Sequence, residues 1–373
     1  MHASGRHTLF NRVASSAAAA LILAGALLGG GTGCQEKFDL ATLPQPELQI
    51  IDTQYVQIFP TLGSFVRPRG LFFGNDQLLY VADSGGNCVT MMNLAGQVLS
   101  SRSMPHPLSI AQDSRLDLLV GGEVELGDGS TAGALFRIHL VSLNADSAHR
   151  LNRARIDTVW TERAKPLRRF PGITVLNDNT YLVARSGPDN SSFIDPDGRI
   201  LEFDKNDHFI TSMPGLVTRS GSGITDIYIP TGIGSFPGTR DFIMTQSSEG
   251  VAYGAIWMTY LHNADFDGWL PKFDPSDASV RGTDFIRPNR FEDANAVTID
   301  PIRRDIFIAD AALDSVFKFN SRGAVKSETF GSVRSGATMH RPVGLAYFEQ
   351  ILYVLDGDRG VILRFRLTTD VPR

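Results

Sequence analysis

The sequence predicts an all-β fold: a six-bladed β-propeller of four-stranded antiparallel blades, with an N-terminal strand closing the last blade. Three observations predict it. The stretch LLYVADSGGNCVTMMNLAGQV (78–98) returns as DIFIADAALDSVFKFNSRGAV (305–325), with the same apolar run, Ala-Asp step, polar turn and second alternating run. The unit that contains this phrase can be traced six times along the chain, the signature of a repeat architecture. Each copy is rich in Val, Ile, Leu, Tyr and Phe with period-two alternation, bounded by Gly, Asp, Asn and Pro, which is the pattern of a strand meander rather than of helices.

Residues 1–33 stand apart from the fold. Arg6, His7 and Arg12 precede an uncharged apolar run from Val13 to Leu28, the arrangement of a secretory signal peptide and too short and too rich in Ala and Gly for a membrane span. Gly31-Thr32-Gly33-Cys34 follows and resembles a bacterial lipobox, with Gly31 where leucine is usual. The resemblance implies a lipidated Cys34, membrane attachment and an outer-membrane lipoprotein of the bacterial cell envelope, facing the periplasm or the surface. Residues 34–48 are polar, carry Pro44 and Pro46 and lack periodicity, so they read as a tether. The propeller is expected over 49–373.

Within it, the first strands begin at RPRGLFF (67–73), PHPLSIA (105–111), FPGITVL (170–176), GITDIYI (223–229), DANAVTI (293–299) and RPVGLAY (341–347). The second strands follow at 78–83, 116–121, 180–185, 241–246, 305–310 and 351–356. The sixth unit has only three strands before the chain ends, and the alternating segment 49–59 has no unit of its own. Pairing the two would fasten the ring and leave no open edge. One such sheet cannot bury its faces alone, whereas six stacked radially can. Cys34 and Cys88 are the only cysteines, so with Cys34 lipidated the body folds without a disulfide, and Cys88 reads as a small buried hydrophobe.

The units RPRGLFFGNDQLLYVADSGGNCVTMM, FEDANAVTIDPIRRDIFIADAALDSVFKF and RPVGLAYFEQILYVLDGDRGVILRF resemble the NHL repeat. The resemblance implies a six-bladed propeller of the NHL and lactonase-like superfamily and no single activity. Lactonase-type relatives hold a channel metal through a glutamate and through Asn or Asp just before the repeat glycine. The matching positions here are Arg69, Leu108, Pro171, Thr225, Asn295 and Val343, with Asp226 adjacent. Asn295 and Asp226 are thus the candidate ligands for calcium or another divalent cation, two oxygens where calcium takes six to eight.

Other motifs have architectural readings. Asp83, Asp310 and Asp356 end second strands at one place in their units and suit acceptors for the backbone N–H groups of the following turn. D-x-D-G occurs at 195–198 and 265–268 without the later glutamate of a calcium loop. GIGSFPG (232–238) reads as a loop, and the basic run 149–169 as a solvated face. A net charge of −5 with mixed signs gives no field for nucleic acid. No zinc spacing, nucleophile elbow, phosphate loop or quinone-cofactor motif occurs. Long connections at 122–132, 186–198 and 270–292 are expected around the channel mouth, where binding resides on a rigid scaffold. Arg69, Arg185, Asp226, Trp257, Trp269 and Asn295 are the candidate ligand-binding residues there. The function expected first is a binding or scaffold module for an envelope protein or glycan. The alternative is a metal-dependent lactonase-like hydrolase or lyase.

Overall fold

A computed structural model describes residues 53–370 apart from 142–148, 193, 214–226, 248–250, 275–276, 278, 280–283 and 332–338. The signal segment, Cys34, the tether and Asp226 lie outside the described residues.

Among the described residues, twenty-four strands form six four-stranded antiparallel sheets. Blade 1 is β2 (Pro68–Phe73), β3 (Leu79–Asp83), β4 (Cys88–Met92) and β5 (Val98–Ser103). Blade 2 is β6 (Ser109–Gln112), β7 (Leu118–Glu125), β8 (Thr131–His139) and β9 (Arg155–Thr161). Blade 3 is β10 (Arg169–Val175), β11 (Tyr181–Ser186), β12 (Arg199–Phe203) and β13 (Phe209–Met213). Blade 4 is β14 (Pro230–Ser235), β15 (Phe242–Gln246), β16 (Ala255–His262) and β17 (Asp267–Pro271). Blade 5 is β18 (Ala294–Ile299), β19 (Ile306–Asp310), β20 (Ser315–Phe319) and β21 (Phe330–Gly331). Blade 6 is β22 (Pro342–Phe348), β23 (Ile351–Asp356), β24 (Val361–Leu367) and, outermost, β1 (Tyr55–Leu62).

The expected closure is present: β1 pairs antiparallel with β24, Tyr55 opposite Leu367 and Ile58 opposite Arg364. The alternation of the strands explains how the ring holds together. Each second strand sends successive side chains to opposite faces, so Leu79 and Val81 pack toward blade 6 while Tyr80 and Ala82 pack toward blade 2. The hydrophobic core is accordingly divided into six clusters, one at each blade-to-blade interface.

The recurring aspartates tie more than their own turns. Asp310 accepts from the N–H groups of Ala312 and Leu313 in its turn, and also from Glu292 and Asp293, which lead into the same blade. Asp83 does the same for Gly86 and for Val66 and Arg67. Asp356 accepts from Arg359 and His340. All three are buried, and each locks a blade to the segment that enters it.

Blade 4 departs from the expectation. Its inner strand is β14, inside the Gly-rich stretch read as a loop, while Ile227–Ile229 precedes it outside any strand. The glycines are required by the hub, where inner strands converge: a Cβ on Gly172 would sit 2.9 Å from the backbone nitrogen of Ile233, and one on Gly232 2.9 Å from the Asn295 carbonyl. Two expected long loops also prove to be body. Residues 122–132 are mostly the extension of the β7–β8 hairpin, paired out to Glu125 and Thr131. The 270–292 connection carries a 3-10 turn, Asp284–Ile286, whose Phe285 and Ile286 are buried in the interface of blades 4 and 5.

Candidate functional site

The inner strands β2, β6, β10, β14, β18 and β22 line a central channel of about 690 Å³, within the range of small-molecule sites. All six begin on one face, here the upper face, where the second strands end. In five of them the pairing register slips near that start, between Pro68 and Gly70, Arg169 and Gly172, Pro230 and Gly232, Ala294 and Ala296, and Pro342 and Gly344. Such a bulge re-aims a side chain. The residues so placed, Arg69, Pro171, Thr231, Asn295 and Val343, all line the channel, and Leu108 holds the corresponding place in blade 2. The sequence register put Thr225 in the fourth place. The shifted start of β14 gives that place to Thr231; Asp226 lies outside the described residues.

Most polar side chains on the channel wall are used to stitch blades together. Ser109 donates to the Phe170 carbonyl (2.7 Å) across blades 2 and 3. Thr174 and Ser235 join blades 3 and 4 (2.8 Å), and Thr231 donates to the Ala294 carbonyl across blades 4 and 5. At the lower end Gln112 binds Asp76 and Asn75, and Asn179 binds Ser114. Arg69 differs. It is the only charged side chain among the described residues lining the channel, and its guanidinium has no hydrogen-bond or ion-pair partner among them.

Three charged residues stand close enough to act on it. Burial and then the like charges of Arg341 and Arg67 push the Arg69 guanidinium below its ordinary value, and Asp293 opposes them. Asp293, immediately before β18, is half-buried; burial raises its carboxyl above the ordinary aspartate range, while Asn295, Arg341 and Arg69 pull it back. Asn295 Nδ2 donates to the Asp293 carbonyl at 3.2 Å. Asp293, Arg341 and Thr231 escaped sequence reasoning. The first two lie just outside the strands, where only the shared locking of residues 292–293 and 340 by Asp310 and Asp356 would have flagged them.

The other candidates lie elsewhere. Arg185, at the end of β11, does not line the channel: it is buried against Glu162 (3.1 Å) and Asp195 (3.1 Å). Arg168 completes that lattice with Glu162 at 3.1 Å, Asp195 at 2.7 Å and Asp197 at 2.8 Å. The 195–198 D-x-D-G carboxylates are therefore taken up by guanidinium groups, and the basic run 149–169 is spread over separate partners, Arg169 on Glu123 and His149 on Asp76 among them. In the second D-x-D-G, Asp267 accepts from Tyr260. Trp257 is buried between Phe236 (4.6 Å, stacked) and Phe285 in the interface of blades 4 and 5. Trp269 is on the outermost strand of blade 4, donating to the Arg240 carbonyl at 2.8 Å. A large aromatic side chain gains more from an interblade seam than from a wet channel, which is why neither tryptophan reaches the mouth.

The described residues of the channel wall do not fit a divalent cation. Among the described residues the wall supplies the Asn295 amide oxygen but no carboxylate, beside a fixed positive charge, and no group of three His, Cys, Asp or Glu gathers anywhere. Calcium requires six to eight oxygens.

No protein-family model matches the chain, and no curated protein matches it. Solved structures do. A gluconolactonase from Xanthomonas campestris is 12% identical, with 85% of this chain and 90% of that one covered and a TM-score of 0.54. A PQQ-bound aldose sugar dehydrogenase from Streptomyces coelicolor is 11% identical, covering 85% and 98% with a TM-score of 0.56. A calcium-binding protein, regucalcin, from Agrobacterium tumefaciens is 12% identical, covering 83% and 93% with a TM-score of 0.55. What the chain shares with all three is the propeller fold.

Proposed function

We propose that the upper mouth of the channel is an active site of lactonase-like type, hydrolysing or eliminating a bond in a small sugar-derived substrate. The observation that carries this reading is the placing of Arg69 and Asn295 on a channel wall whose other polar groups are mostly committed to structure, with Asp293 bonded to Asn295 just behind it. The gluconolactonase and sugar dehydrogenase similarities support the substrate class. Asp293 is the base: its burial keeps the proton affinity of the carboxylate high, which suits a group that must take a proton from an attacking water. Asn295 beside it fixes its setting. The described wall offers no donor set for a metal.

The test is acid release from a panel of aldonolactones in a pH-stat, corrected for spontaneous hydrolysis. Asp293→Asn is expected to lower kcat by about 10²–10⁴-fold. The wild-type rate is expected to fall as pH drops through an Asp293 value displaced above the ordinary aspartate range, because the protonated carboxyl is no base. No turnover above background would end the hydrolytic reading. It would leave the scaffold reading, which the exposed Val66, Leu167 and Ile194 on upper-face segments support.

We further propose that this site works in the bacterial envelope, tethered through Cys34. The lipobox-like Gly31-Thr32-Gly33-Cys34 after the apolar run supports the assignment. Labelled palmitate is expected to enter the wild-type protein in cells and to be absent from Cys34→Ser; equal labelling of both would refute the anchor.

A further inference from the structure

Arg69 raises a question that a neutral sugar does not answer. A guanidinium stays protonated in proteins, and partial burial of a charge without a partner is unfavourable. Here the neighbours add to the cost rather than relieve it. Arg67 and Arg341 bring two further positive charges to the mouth, and the acid that faces them, Asp293, is not in contact with Arg69. Arg341 has a long 4.0 Å pairing with Asp358, both exposed, and Arg67 is exposed. Arg341 and Arg67 act on the Arg69 guanidinium ahead of Asp293, so its charge stays without a compensating partner. That charge is not spread over an outer face. It is set on a bulge residue aimed into a channel of small-molecule size.

We infer that the upper mouth takes a small anionic ligand, whose carboxylate or phosphate group seats on the Arg69 guanidinium with its hydroxyl-bearing remainder toward Asn295. This deepens the proposed activity and rests on the same mouth being the site. A free guanidinium edge is a preformed bidentate receptor for either anion. Arg67 and Arg341 supply attraction at longer range, which focuses in a cleft with low-dielectric walls.

The experiment is calorimetric titration of the wild-type protein and of Arg69→Gln and Arg69→Lys at low ionic strength, with glucuronate, glucose 6-phosphate and glucose as probes. At least one anionic probe is expected to bind the wild type more tightly than glucose, and Arg69→Gln to weaken it by about 10- to 100-fold. Arg69→Lys, which keeps the charge and loses the fork, is expected to fall between. Binding of glucuronate but not of glucose 6-phosphate identifies a carboxylate site, and the reverse a phosphate site. Unchanged thermal unfolding of both variants shows that the loss is local. Glucose binding as tightly as both anions, no binding of either anion, or anion binding indifferent to Arg69→Gln, would overturn the inference. The readout is affinity, so anion binding without lactone turnover sustains the inference while the hydrolytic reading falls. Lactone turnover by a protein that binds neither anion does the opposite.

Discussion

Replacing Tyr55 by alanine is expected to destabilise the propeller by about 3–5 kcal/mol. Tyr55 is the first residue of the closing strand, 3% exposed, and belongs to the core between blades 5 and 6. Its ring stacks on Phe330 at 5.1 Å and meets Phe307 edge-on at 5.9 Å. The Lys318 ammonium, itself buried and paired with Asp305 at 3.1 Å, lies 5.3 Å from the ring centroid. Removing the ring therefore opens a cavity and withdraws one wall from around a buried cation. Tyr55→Phe, which keeps the ring, is the control and should retain most of the stability. Denaturant unfolding followed by near-ultraviolet circular dichroism measures both. A Tyr55→Ala midpoint equal to that of the wild type would show that β1 adds nothing to the cooperative fold.

The second large effect is expected at Arg168, which is 4% exposed and reaches Glu162, Asp195 and Asp197 at once. Arg168→Met should cost about 3–5 kcal/mol, because Glu162 and Asp197 remain buried with a charge removed from beside them. The variant also carries a pH signature. Burial would raise the Asp195 carboxyl, but hydrogen bonds and charge from Arg168 and Arg185 outweigh it and hold the group down at about 2. A depressed carboxyl stabilises the fold above its unfolded value, and the contribution is lost as pH falls toward the folded one. Asp195 is half-exposed, so solvent screens part of this gain. Without Arg168 the folded value moves back toward the unfolded one and this contribution shrinks. The midpoint of acid unfolding is expected to move upward, and an unmoved midpoint would contradict the assigned lattice.

Much of the fold was legible because a propeller writes its plan repeatedly. The second strands read clearly, since they are buried on both faces and must be apolar up to the locking aspartate, as in Leu79–Asp83 and Ile306–Asp310. The inner strand of blade 4 was not legible, because close approach at the hub replaced side chains with Gly232 and Gly234 and erased the alternation that marks a strand. The candidate site was legible only in part. Arg69 and Asn295 were found because they occupy a repeat position. Arg185 and the two tryptophans were drawn to the mouth by residue type alone, yet their own needs place them elsewhere: counter-charges for the guanidinium, an apolar seam for the indoles. Asp293 and Arg341 carry no pattern, since what assembles them is the meeting of three blades far apart in sequence.

Closure by β1 has a consequence for biosynthesis. Gln54 bonds to Thr368 across 314 residues, so β1 waits for β24, the last of the described strands to be made. At about 5–20 residues per second the wait is roughly 15–60 s. Throughout it β1 is an unpaired edge able to template association with another chain. The ring therefore completes itself only once β24 has emerged, and a holding chaperone bound to β1 would protect the joint that closes blade 6.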